Sequence, residues 1–337
     1  MELWDILRHV WFVLIGVLLL GYSILDGFDL GIGALFPFLA RNREEKEGLI
    51  KSVGPFWDGN EVWLLTGGGA LFAAFPQAYA TVFSGFYLAL MLVLFSLIFR
   101  AVSLEFRAHD PRRRAFWEGS FIAGSLLPSL LFGVALGNVI QGVPLNNHMD
   151  FTGSFFTLLR PYPLVLGLLG LVSILLQGST FVLVKMEGAV RDRAKKIIGI
   201  LSMVFAALAG LAFLVSVIYT PWALSRVLPW VFTALLAGCF VGLRRAVNRD
   251  MDGRSFAWSS GLFIGLWGIA GSVMFPNLVR ASNDLSLSLD IFNSSSSVLT
   301  LKVMLIIALV GMPLVVAYTI YLYKVFRGRI KLGEEGY

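Results

Sequence analysis

The sequence predicts an all-α membrane protein. It reads as one integral domain over residues 1–337, a bundle of nine transmembrane helices with the amino terminus outside and the carboxyl terminus in the cytoplasm. Composition is the first reason: 57% of the 337 residues are apolar and 14% charged, where soluble domains carry about 25% charged residues. Mean hydropathy is +0.79. Apolar runs near 20 residues long recur from end to end, enough for each to cross the hydrocarbon core as a helix. The third reason is charge, because Lys and Arg collect in alternate loops between those runs.

The runs place spans at roughly 8–37, 56–75, 78–100, 117–140, 161–186, 197–219, 227–245, 255–278 and 298–326. The first contains Val10 to Leu20; no cluster of positive charge precedes it and no small-residue cleavage site follows, so it reads as a retained span. The second opens on polar residues (Trp57, Asp58, Asn60, Glu61), and a soluble turn would fit that start equally well. Loop charge decides in favour of a span. Basic residues follow the first span (Arg41, Arg43, Lys46, Lys51), the third (Arg100, Arg107, Arg112, Arg113, Arg114) and the fifth (Lys185, Arg191, Arg193, Lys195, Lys196). They also follow the seventh (Arg244, Arg245, Arg249, Arg254) and the ninth (Lys324, Arg327, Arg329, Lys331). With nine spans these 22 of the 27 bases fall on one side, which positive charge marks as cytoplasmic. The intervening loops hold only Arg160, Arg226 and Arg280; Arg8 lies near the amino terminus and Lys302 heads the last span.

A Phe-Pro pair ends both the second span (Phe75, Pro76) and the eighth (Phe275, Pro276), a faint sign of internal repetition. The serines 294–297 precede the ninth span, where a hydroxyl caps exposed backbone donors. No loop is long enough to form a soluble domain. Cys239, the only cysteine, lies within an apolar run and reads as core filler, which excludes an internal disulfide or a cysteine metal cluster. The net charge of +6 is explained by the bilayer, and no nucleic-acid partner is expected.

Ionisable groups inside a bilayer cost several kcal/mol unless paired or neutralised, so each is a functional candidate. Asp26 and Asp29 are three apart on the first span, Asp58 and Glu61 three apart on the second, so each pair shares a helix face. At 1.5 Å per residue, Asp26 and Asp29 lie about 27 to 32 Å along the first span, toward the cytoplasmic end. Asp58 and Glu61 begin the second span on that side, and Arg100 ends the third there. These five residues are expected to line a hydrophilic pocket open to the cytoplasm, with carboxyl groups suited to handing on protons. The same acids would serve as helix caps or as partners of Arg100 and the loop bases. The glycines Gly27, Gly31 and Gly33, and Gly67 to Gly69, are read as permitting close helix packing. His9, His109 and His148 are not placed in pairs inside spans as axial haem ligands would be, and methionines such as Met91, Met203 and Met304 read as core, so this chain alone is expected to bind no haem and no metal.

The blocks Gly27-Phe28-Asp29-Leu30-Gly31-Ile32-Gly33, Trp57-Asp58-Gly59-Asn60-Glu61-Val62-Trp63-Leu64 and Gly67-Gly68-Gly69-Ala70-Leu71-Phe72-Ala73-Ala74 resemble subunit II of cytochrome bd-type quinol oxidases. Phe83-Ser84-Gly85-Phe86-Tyr87, Phe99-Arg100, Gly133 to Asn138, Gln141 to Pro144, Gln177-Gly178 and Leu299-Thr300-Leu301 extend the resemblance along the whole chain. It implies a nine-helix subunit of the prokaryotic cytoplasmic membrane, paired with a larger haem-bearing subunit I that holds two b-type haems and one d-type haem. Such a complex oxidises quinol, reduces dioxygen to water and takes its protons from the cytoplasm. The resemblance assigns a proton route to Asp58, with Asp29 and Asp26 as companions, and makes Trp57 a wall of that route or of a structural quinone site. Small accessory membrane subunits and bound lipid are further partners it allows. Glu61 stands where glutamine occurs in some relatives, and the connection between the sixth and seventh spans is very short. Taken without the resemblance, the acids and glycine-rich helices also fit a secondary transporter, or a purely structural partner that shields a catalytic subunit from lipid.

Overall fold

The computed structural model describes residues 2–330; the carboxyl terminus and Lys331 lie outside the described residues. Helix α1 (Leu3–Leu39) runs for 37 residues. Asn42 then starts α2 (Arg43–Val53), its side chain accepting from the Glu45 N–H at 2.9 Å. This short amphipathic helix lies within the loop expected after the first span and buries Leu49 and Val53 in the main core cluster. Next come α3 (Trp57–Ala74), α4 (Pro76–Gly85) and α5 (Tyr87–His109). Where the sequence reading put one span at 78–100, the chain forms two helices that break at Phe86, and the second runs nine residues past Arg100. The remaining helices are α6 (Arg114–Gln141), α7 (Pro161–Lys185), α8 (Gly188–Tyr219), α9 (Val227–Asn248), α10 (Asp252–Met274) and α11 (Val298–Val325).

Eight of these helices are long and apolar enough to span a membrane; α2, α3 and α4 are the exceptions among the described residues. The protein is an all-α polytopic membrane protein. Helices α1 and α7 are central: two-thirds of α7's most apolar stretch is buried, whereas none of α11's is. Their crossing is backbone on backbone. A Cβ at Gly31 would lie 2.2 Å from the Ile174 carbonyl oxygen, and one at Gly178 would lie 2.5 Å from the Gly31 carbonyl carbon. Gly33 admits the Ser125 side chain and Gly67 the end of Leu19, but Gly27 has only ordinary contacts and Gly68 and Gly69 meet no described atom within 4 Å, so these three are not needed for close packing among the described residues.

Basic and acidic side chains lock the end that carries α2. Arg193 pairs with Glu45 at 2.6 Å and donates to the Leu39 carbonyl. Arg107 joins Glu47 to Glu118, which also binds Lys46. Burial opposes the charge of Glu45, but hydrogen bonds from Arg193 and the Arg41 N–H outweigh it and hold this carboxyl below its ordinary range. The opposite end is closed by a small antiparallel pair, β1 (Asn277–Val279) and β2 (Leu289–Asp290), set beside α4 and the segment 142–146. Ser297 there caps α11, as the serine tract implied.

Candidate functional site

Asp26 and Arg100 meet where α1, α3 and α5 converge. The guanidinium holds the carboxylate by two hydrogen bonds, Nη1 to Oδ2 at 2.8 Å and Nη2 to Oδ1 at 2.5 Å, and both side chains are wholly shielded from solvent. Arg100 does not end its span: it is the fourteenth residue of a 23-residue helix, because Ala101 to His109 continue α5 with Arg107 turned inward onto Glu118. Such a planar fork-to-fork pair is the strong form of charge-assisted bond. Glu61, on α3, brings a second carboxylate to within 3.6 Å of the same guanidinium and keeps a quarter of its side chain exposed.

Asp29 lies on the same face of α1, one turn further along. Its Oδ2 accepts from the Asn60 amide at 2.7 Å, while its Oδ1 is buried without a protein partner. Asn60 also donates to the Leu25 carbonyl, so it ties α3 to α1 across the site. Three carboxyl groups thus face one guanidinium, more acid than a single cation can neutralise. Among the described residues Asp26, Asp29 and Arg100 are sealed rather than lining an open pocket, and the cluster reaches the surface at Glu61.

Two residues stand apart. Asp58 is exposed on a face of α3 that it shares with Gly59, Val62, Leu65, Gly69 and Phe72, with open space beside Gly59 and Gly69. Its charge is nonetheless felt at Glu61, less than one turn away. Trp57 is half-buried at the start of α3. Residues the sequence reading passed over complete the surroundings: Tyr22 is buried one turn before Asp26, and Tyr323 of α11 packs on Phe56 and Phe28 and faces Asp29 and Asn60. Gln177 donates to the Ile24 carbonyl and to Ser260. A polar residue within an apolar run was the available signal for Gln177.

The three histidines lie apart from the acid cluster and from one another. His9 bonds the Asp5 carbonyl and packs against Phe275, His109 bonds the Glu105 carbonyl at the end of α5, and His148 lies in a turn. Among the described residues no group of three or more His, Cys, Asp or Glu side chains is placed to hold a metal ion.

Fold and cluster together define a polytopic helical membrane protein with a sealed interhelical carboxyl–guanidinium centre. The sequence model of the family "Cytochrome bd terminal oxidase subunit II" matches residues 7–326, and the chain belongs to that family. It is 36% identical to the cytochrome bd-I ubiquinol oxidase subunit 2 of Escherichia coli K12, over 97% of this chain and 96% of the relative. It is 32% identical to the cytochrome bd ubiquinol oxidase subunit 2 of Bacillus subtilis, over 97% and 98%. A chain of the bd oxidase structure from Geobacillus thermodenitrificans shares the fold, with a TM-score of 0.81 at 16% identity over 95% of this chain and 98% of that one. These relatives are subunits of oxidoreductase complexes, and nothing in them supports the transporter alternative.

Proposed function

We propose that this chain is the haem-free second subunit of a quinol-oxidising, dioxygen-reducing complex of the cytoplasmic membrane, and that it delivers protons to a haem-bearing subunit I. The observation that carries this reading is the position of Asp58. An acid facing lipid would cost several kcal/mol, yet Asp58 stands on an uncovered face of α3, less than a turn from a buried acid cluster. A partner subunit on that face removes the cost and receives what the acid carries. Glu61, at the rim, takes up protons from the cytoplasmic side; Asp26 and Asp29 hold them beside Arg100; Asp58 passes them to the partner. The haems b and d of the partner supply the electron transfer and the oxygen chemistry.

The same reading makes α3 the second of nine spans, keeps every basic loop on the cytoplasmic side and puts the amino terminus outside. Trp57 then walls the route, or a structural quinone, on the partner-facing side. Family resemblance alone supports that quinone, the accessory subunits and bound lipid.

Asp58→Asn tests the route, since asparagine keeps the volume and hydrogen bonding but cannot exchange a proton. Assembly and haem content of the complex should stay at wild-type levels while turnover with quinol falls, by about 100-fold if general acid–base transfer limits it. Asp58→Glu should recover part of the rate. Normal turnover of the asparagine variant across the pH range would leave Asp58 a structural acid.

A further inference from the structure

Helix α11 is almost uncovered within this chain: Leu301 is its one buried residue among those described, and its tyrosines Tyr318 and Tyr321 are exposed. Tyr323 is the exception. Its ring lies on Phe56 with centroids 4.5 Å apart and meets Phe28 edge-on at 6.4 Å, and its hydroxyl is shielded from solvent. That hydroxyl faces Asn60 and Asp29, yet it has no hydrogen-bond partner of good geometry among the described residues.

The chain on either side holds Tyr323 in this place. Just past the end of α11 the Phe326 carbonyl accepts from the Lys185 ammonium, and the Ile330 N–H bonds the Lys185 carbonyl, so the last turn of α11 is pinned to the end of α7. Phe56, the ring beneath Tyr323, stands one turn before Asn60, whose N–H bonds the Phe56 carbonyl at 3.0 Å. The surface that carries Tyr323 and the amide that holds Asp29 therefore belong to one rigid turn of α3.

Asp29 presents the complement. Its Oδ2 is taken by Asn60, and its Oδ1 is buried without a protein partner. A buried donor and a buried acceptor left unpaired have each lost water with nothing in return, and pairing them removes both costs. The other titratable groups around Asp29 do not serve that oxygen: Asp26 and Glu61 compete for protons, and Arg100 turns both terminal nitrogens to Asp26. Lys185, 5.1 Å from the centre of the Phe56 ring, is engaged with the Phe326 carbonyl. We propose, building on the proton route, that Tyr323 is a positioning residue for Asp29: its hydroxyl donates to Oδ1 while Asp29 is ionised and turns away when that oxygen takes up a proton. The phenol keeps its own proton throughout, and the O–H bond that forms and breaks is that of Asp29.

Tyr323→Phe in the purified complex tests this, since it keeps the ring on Phe56 and Phe28 and removes the hydroxyl alone. Turnover with quinol, counted per haem so that partial loss of assembly does not enter, should fall about tenfold, the effect of one hydrogen bond to a charged group. The pH profile of turnover should move by about one unit toward higher pH, because the hydroxyl serves the charged form of Asp29. The infrared C=O band of protonated Asp29, identified as the band that Asp29→Asn removes, should shift in Tyr323→Phe. Tyr321→Phe, which takes the same group from the exposed face of α11, should match wild type in all three. An unmoved band and profile in Tyr323→Phe, with turnover lost in Asp29→Asn, overturns the role of Tyr323 alone. Wild-type turnover in Asp29→Asn overturns the proton route itself, and the proposal with it.

Discussion

Asp26 is gripped by both arms of Arg100, whereas Asp29 keeps one carboxylate oxygen with no protein partner. On the proposed route, Asp26 is the acid bound to the arginine and Asp29 the one with an oxygen left for proton exchange. Removing one member of a buried ion pair costs about 3–5 kcal/mol because the survivor is left uncompensated. Arg100→Gln should accordingly lower the yield of assembled complex sharply, and the double change Arg100→Gln with Asp26→Asn should restore much of it; yields read from haem absorbance check this, and a double variant no better than the single would show that the pair is not the source of the loss. Asp26, Asp29 and Arg100 were legible in the sequence because a charge within an apolar run has few inexpensive explanations. Which carboxylate the arginine takes was not, since that depends on how α1 is rotated about its axis against α5. Asn60 lies within the most distinctive block but carries no site role in the sequence, because an amide signals nothing until the carboxylate 31 residues before it is seen to accept its proton.

Helix α2 is held by ionic contacts as well as by apolar burial, and its stability should depend on pH where that of α7 does not. The folded-state affinity of Glu45 for a proton is depressed, so the Glu45–Arg193 contact contributes fully above the ordinary carboxylate range, about pH 4.3, and is lost as pH falls through and below it. Amide exchange in α2 should stay slow from pH 7 to 5 and quicken below about 4, relative to α7; Glu45→Gln should exchange faster already at pH 7 and lose most of that dependence. A flat profile in the unaltered protein would place the weight on Leu49 and Val53 instead. The long helices were readable from their apolar runs, which are unambiguous at 20 residues. The break at Phe86 was not, because apolar residues on both sides of it continue one run, and only the surrounding structure divides them. The 11-residue α2 hid in a charged stretch whose Asn42 and Glu45 formed a capping signal that charge counting overlooked.

For the molecule as a whole, the proposed side of each loop rests on charge, and it can be measured directly. A reporter inserted near Asn146 should be external and one fused after Tyr337 cytoplasmic; opposite results at both sites would invert the bundle or change the number of crossings. The least supported part of the molecule is α11. None of its most apolar stretch is buried, it contacts chiefly α1 and α3, and the chain just after it is tied down where the Ile330 N–H bonds the Lys185 carbonyl and the Lys185 ammonium bonds the Phe326 carbonyl. During synthesis this helix leaves the insertion machinery after α1 and α3, which it packs against, and finds little to hold it until the segment just after it has docked. A copy made in excess of its partner therefore displays a loose helix and an uncovered acid to the proteases of the membrane. Clearance of surplus chains would match the two subunits in number, with no regulation of their genes needed.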